Sequence, residues 1–167
     1  MSRLDSFIRR VSAQRDCLSA AARMIADVPG PVLELGLGNG RTYDHLRERL
    51  PSREIFVFDR RIAAHPACIP DERHMILGDI DATLAHAMTR IGALAALAHC
   101  DVGTGDKQAA LNLATWLAPA LDALLAPGAI VVSDQRMMAP RWISLPLPDG
   151  VPAERYFMAR VERPAPT

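Results

Sequence analysis

The sequence has no surplus of charge. It carries 19 basic against 19 acidic residues, with an isoelectric point near 7.0. Proteins that hold nucleic acid through its phosphates show a net basic charge or a basic stripe. Neither occurs here, and the Arg9-Arg10 and Arg60-Arg61 pairs read as ordinary solvated charge, so no nucleic-acid partner is expected. Cysteine is scarce as well. Cys17, Cys68 and Cys100 are odd in number and far apart, which argues against a disulfide framework and offers no zinc spacing. Reduced thiols and a cytoplasmic location are the expectation. No stretch supplies the ~20 apolar residues of a membrane helix, so no membrane partner is expected. The opening MSRLDSFIRRVSAQRD is too charged for the apolar segment of a signal peptide. Internal repeats and low-complexity tracts are absent.

What is present suits one globular domain over residues 1–167, since half of the 167 residues are hydrophobic. Leu4, Phe7, Ile8, Val11, Leu18, Ala21, Ala22 and Ile25 recur at helical spacing, which predicts an N-terminal helix over about 3–27, stopped by Pro29-Gly30-Pro31. Val32 to Leu35 is a short apolar strand, followed by a helix over 42–50 that ends at Pro51. EIFVFD, HMIL, ALAALAHCD and AIVVSD read as further strands. IDATLAHAMTRI and DKQAALNLATWLAPALDALL read as helices, the second interrupted or kinked at Pro119. RWISL and RYFMARV are expected to add a final hairpin.

Strands alternating with helices imply a doubly wound α/β fold, mostly parallel, with helices on both faces in three layers and an antiparallel C-terminal strand. Ligands of such folds sit at the carboxyl ends of the strands, near the topological switch point. The acids Glu34, Asp59, Asp79, Asp101 and Asp134 all fall at predicted strand ends, beside Gly36, Gly38 and Gly40. Each acid alone could be a cap or a salt-bridge partner. All of them together, beside three glycines, point to one shared ligand. A dinucleotide fingerprint would need a glycine where Arg41 stands, so a pyrophosphate is not required by this loop.

VLELGLGNGRT resembles motif I of the class I S-adenosylmethionine-dependent methyltransferases, an acid followed by Gly-x-Gly-x-Gly, and the chain is similar to a small bacterial family of them. The resemblance implies a Rossmann-like fold and S-adenosylmethionine as cofactor. It also implies that Glu34 helps to bind the methionine end and that Gly36, Gly38 and Gly40 let the cofactor approach the backbone. Leu37, Asn39 and Thr42 share that loop. Asp59, with Arg60 beside it, stands where the family's acid takes the ribose hydroxyls; a carboxylate can accept from both. Gly78-Asp79-Ile80 resembles the motif whose acid meets the adenine amino group. Asp101 closes the strand bordering the transfer site and is both a cofactor-binding candidate and the candidate catalytic residue.

Families that methylate the amino groups of DNA bases or of glutamine carry an Asn/Asp-Pro-Pro-aromatic loop after this strand. Here the residues are Asp101-Val102-Gly103-Thr104-Gly105-Asp106, so those acceptors lose ground. A small-molecule acceptor with an oxygen or nitrogen nucleophile is expected. Asp101, Asp134 and Gln135 are similar to the magnesium ligands of catechol-type O-methyltransferases and are candidates for a hard cation. The plainer reading, Asp134 as a strand-end cap, carries more weight, and the expectation is no metal. His99 reads as a buried, hydrogen-bonded histidine, with a base as its second reading. Trp116 and Trp142 read as core or interface residues, and Met137, Met138 and Trp142 also fit an apolar substrate pocket. With so little chain outside the core, the N-terminal helix or a second subunit is expected to cover the substrate, which makes a homo-oligomer the expectation. The rival readings are an NAD(P)-dependent oxidoreductase and a non-catalytic module that binds S-adenosylmethionine or a nucleoside.

Overall fold

The structure is a computed structural model and describes residues 2–102 and 107–163. Its first element is helix α1, Arg3–Met24. Ser2 and Asp5 start it as a capping box: Ser2 Oγ accepts from the Asp5 N–H at 3.0 Å, and the Ser2 N–H donates to Asp5 at 3.1 Å. At its other end Arg53 acts as a clamp. Its guanidinium donates to the carbonyls of Ile25, Val28 and Gly30 at 2.6–2.8 Å, satisfying carbonyls that the helix end and the Pro29–Pro31 turn leave open.

Seven strands form one sheet in the order β3-β2-β1-β4-β5-β7-β6. Strands β1 (Val32–Leu35), β2 (Ile55–Asp59), β3 (Met75–Leu77), β4 (Ala95–Cys100) and β5 (Leu125–Ser133) are parallel. The expected hairpin is present as β6 (Trp142–Ser144) and β7 (Phe157–Val161), and β7 runs antiparallel to both β5 and β6. Helices α1 and α2 (Arg41–Arg49) cover one face, packed over Val32, Val57, Leu97, Ile130 and Val132. Helices α3 (Ile80–Ala85), α4 (Ala87–Ile91) and α5 (Lys107–Asp122) cover the other, over Leu33, Phe56, Ala98 and Val131. This is the three-layer, mostly parallel arrangement that the alternating elements imply.

Three local expectations need correcting. The helix expected over 80–91 is two short helices, broken where His86 leaves helical geometry at φ −114°, ψ 7°. Helix α5 is continuous through Pro119, so the proline, expected to interrupt or kink it, does not interrupt it. Strand β5 begins at Leu125, four residues before the stretch AIVVSD, and the Pro127-Gly128 pair sits inside it where the register with β4 shifts. That bulge accommodates Gly128 at φ +88°. The alanine-rich β4 is buried along its whole length between β1 and β5. A strand covered on both faces reads as a continuous apolar run, and small side chains let the helices close on it.

Arg53→Ala removes three charge-assisted bonds from a half-buried junction. It is expected to destabilise the protein by about 2 kcal/mol, measured by urea denaturation; an unchanged midpoint would show that the clamp contributes nothing.

Candidate functional site

The carboxyl ends of β1, β2 and β4 meet around the glycine turn. Gly36 adopts φ +93°, and a Cβ there would stand 2.5 Å from the Asp101 carbonyl oxygen. Its missing side chain is therefore demanded by β4, whose end closes on β1 through the Asp101 N–H to the Leu35 carbonyl at 3.1 Å. Gly40 caps α2 at φ +84°, and a Cβ there would meet Cys68 at 2.5 Å. Gly38 differs: at φ +52° nothing lies within 4 Å of the place a Cβ would take. Of the three, Gly38 is the one whose bare backbone faces open space.

Asp59 holds this turn in place. Its Oδ2 accepts from the N–H groups of Leu37 at 2.9 Å and Gly38 at 3.1 Å, and its Oδ1 from Arg61 at 3.3 Å. A cavity of about 770 Å³ opens beside it. Of the residues proposed from the sequence, Gly36, Gly38, Asp59, Arg60, Gly78, Asp79, Ile80 and Asp101 line it. Asp79 makes no side-chain cap bond to α3; it pairs with Arg60 at 2.8 Å across the cavity's rim, both side chains being well exposed.

The other proposed residues are not among the described residues that line the cavity. Leu37 is buried in the core, and Asn39 accepts from the Arg41 N–H at 3.1 Å. Glu34 is fully buried, its Oε1 taking the Thr42 hydroxyl and its Oε2 the His99 ring at 2.7 Å. The cavity also uses residues that sequence reasoning missed. Ala109, Asn112, Leu113 and Trp116 line it from α5, and their spacing of three, one and three places them on one helical face. That spacing was visible, but periodicity does not say whether a face meets core or crevice. The stretch Gly103 to Asp106, read as lacking the Pro-Pro-aromatic loop, lies outside the described residues.

Asp101 and Asp134 stand at the neighbouring tips of β4 and β5. Burial, and then the charge of Asp101, push the Asp134 carboxyl up to about 6, against a usual 3.8. Among the described residues no three His, Cys, Asp or Glu side chains converge on a metal-sized point. Two carboxylates and Gln135 fall short of the six or more oxygens that a hard divalent cation takes without several waters. His99 is completely buried. Burial disfavours its cation, but the Glu34 carboxylate beside it wins and raises its pKa. Beyond Asp134, a smaller cavity of about 310 Å³ lies against β5, β6 and β7, lined by Met137, Trp142, Leu145 and Phe157 among others. Met138 is outside it and 76% exposed.

The cradle fits an adenosyl amino acid: bare backbone at Gly38, a carboxylate at each of three strand tips, and room for a molecule of that size. Fold and crevice together define a Rossmann-like S-adenosylmethionine-dependent methyltransferase. The chain matches the model of the S-adenosyl-L-methionine methyltransferase family over residues 1–161, and belongs to that family. The crystal structure of an S-adenosyl-L-methionine methyl transferase from Silicibacter pomeroyi DSS-3 is similar over 96% of this chain and 99% of its own, with 45% identity and a TM-score of 0.90. Two more distant structures share the fold. MycE methyltransferase of the mycinamycin biosynthetic pathway, in complex with Mg and SAH, is 16% identical with a TM-score of 0.55, over 87% of this chain and 48% of its own. Human methyltransferase-like protein 13, in complex with SAH, is 11% identical with a TM-score of 0.53, over 92% and 81%. No curated protein matches the sequence. The family settles the choice between readings: the protein is a methyltransferase and its cofactor is S-adenosylmethionine, not a nicotinamide.

Two tests follow from this geometry. Gly36→Ala must push the Asp101 backbone aside and is expected to lower the melting temperature by several degrees, roughly a 1–3 kcal/mol loss. Gly38→Ala should fold, at a cost of about 1 kcal/mol, yet lose S-adenosylmethionine binding in calorimetry. Equal stability losses for the two would contradict the distinction. For Asp134 the sign runs toward acid. Its folded-state pKa of about 6 exceeds the usual 3.8, so the folded form gives up its proton later than the unfolded chain. Asp134 therefore costs stability as pH rises between those values. Asp134→Asn is expected to melt higher than wild type at pH 7.5, with the advantage gone below about pH 4.

Proposed function

We propose that this protein transfers the methyl group of S-adenosylmethionine to a small-molecule acceptor through an oxygen or nitrogen nucleophile. The observation that carries this reading is the 770 Å³ cavity, whose lining includes Gly38, Asp59, Asp79 and Asp101 together with the apolar Val102 and Leu113. In this reading Gly36, Gly38, Asp59, Arg60, Gly78, Asp79, Ile80 and Asp101 hold the cofactor, and Glu34, Leu37, Asn39, Gly40 and Thr42 shape the turn from behind. Bound S-adenosylmethionine supplies an activated methyl carbon, so the protein's own task is to align the nucleophile and accept its proton. Asp101 takes that proton, and the high affinity of Asp134 for a proton keeps the carboxylate pair a ready acceptor near neutral pH.

The second cavity supports an acceptor with an apolar body, since Met137, Trp142 and Phe157 offer flat and flexible apolar surface there. Helix α1 reaches the edge of the site through Arg10 and Gln14, both bonded to Asp101, which supports α1 as the element beside the acceptor. Exposed Leu4, Phe7 and Ile8 on the first turns of α1 support a homo-oligomer in which a second copy meets that stripe. No helix among the described residues is long and apolar enough to cross a membrane, and the balanced charge supports a cytoplasmic protein without a nucleic-acid partner. The whole chain, 1–167, forms one methyltransferase domain in this reading.

Calorimetry with S-adenosylmethionine, S-adenosylhomocysteine and NAD should show binding of the first two only. Asp59→Asn is expected to weaken S-adenosylmethionine binding about tenfold, the loss of one charged hydrogen bond. An unaltered affinity would remove Asp59 from the cofactor site.

A further inference from the structure

The sheet face under α1 is apolar apart from one line of side chains. Glu34 and His99 are register partners on adjacent strands β1 and β4, and both are completely buried. Glu34 accepts from Thr42 on α2 and pairs with His99 Nδ1 at 2.7 Å. His99 Nε2 lies 2.7 Å from the hydroxyl of Tyr156, whose side chain is 1% exposed and stacks on the imidazole at 6.0 Å between ring centres. Gln14 of α1 completes the line, its Nε2 lying 2.9 Å from the Tyr156 oxygen and 2.8 Å from Asp101 Oδ2.

Each link is fixed by what its groups can do. An amide nitrogen only donates, and it has two hydrogens. Gln14 therefore spends one on Tyr156 and one on Asp101. The Tyr156 hydroxyl accepts from Gln14 and shares one hydrogen with His99. Burial, with the charge of Asp101 behind it, raises the Tyr156 pKa, so the hydroxyl keeps its proton. His99 spends its other nitrogen on Glu34. The charged or titratable groups around the line include Glu34 and Asp101 at its ends, Asp134 just past β5, the buried Cys100 thiol on β4 and Arg10 on α1, 3.5 Å from Asp101.

A buried line of this kind is costly, and apolar residues of similar size commonly serve packing as well or better. Its neighbours Val32, Val57, Leu97, Ile130 and Val132 show what packing alone selects here. Among the line's members, only Asp101 also lines the cofactor cavity and remains partly exposed, at 18% of its side chain. We propose that Gln14, Tyr156 and His99 are positioning residues, a hydrogen-bonded strut braced on Glu34 that fixes how the Asp101 carboxylate faces the cofactor cavity. The inference rests on the reading of Asp101 as a cavity-side residue of the methyltransferase.

The test is a double-mutant cycle on S-adenosylmethionine affinity, read by calorimetry, with thermal melts to follow folding. Asp101→Asn is expected to weaken binding about tenfold. Tyr156→Phe and Gln14→Met should each weaken it several-fold. Combining either with Asp101→Asn should add less than about twofold, because the strut acts through that carboxylate. Gln14→Met replaces a buried helix residue by an unbranched apolar one of similar length and keeps the test open if Tyr156→Phe fails to fold. Single losses that multiply in the double variants, or strut variants that bind like wild type, overturn the proposal. If Asp101→Asn itself binds like wild type, it is the cofactor-side reading of Asp101 that fails. Carboxyl-carbon NMR then decides the strut: a shifted Asp101 titration in Gln14→Met upholds it, and an unchanged one overturns it.

Discussion

A carboxylate shut away from water has to be compensated by the groups around it, and Glu34 imposes that requirement on the whole domain. It sits in β1, an interior strand of a seven-stranded sheet, with no exposed surface. A buried ion without partners would cost several kcal/mol. Compensation comes from Thr42 at the start of α2 and His99 on β4, and His99 in turn engages Tyr156 at the entry to β7. One acid in β1 thus dictates what stands on three other elements. The same strand delivers the glycine turn two residues later, so the order of the cofactor crevice depends on the order beneath it.

The three glycines do different jobs. Gly36 exists so that β1 and β4 can close on each other, and Gly40 so that α2 can start against Cys68. Gly38 alone leaves room for something not made of protein. Asp59 likewise has two duties, since the oxygen that ties down Leu37 and Gly38 belongs to the carboxylate that lines the crevice. Loop and cavity wall are coupled through one side chain, and the bond to the backbone preorganises the turn for a bound molecule.

Much of this was legible before any coordinates, because it is local. Val32–Leu35, its glycine turn and the strand closing on Asp59 follow from periodicity and turn chemistry. Motif resemblance then named the cofactor, and the family bears it out. The contacts that give each residue its task were not legible. Nothing around Gly36 reveals the Asp101 carbonyl, and nothing around Gln14 reveals a hydroxyl 142 residues away. Asp79, expected at the adenine amino group, pairs with Arg60 at the cavity's rim, a contact that no spacing announces. The broken helix at His86 and the early start of β5 turn on backbone geometry that apolar spacing does not encode.

The line from Gln14 to Tyr156 joins the first helix to the last strand pair. During synthesis Gln14 emerges from the ribosome long before Tyr156, so the chain can pair β1, β2 and β4 before this link is possible. The first helix therefore waits for residue 156 before this contact can form, a late closure in a fold whose segments emerge from the N-terminus onward.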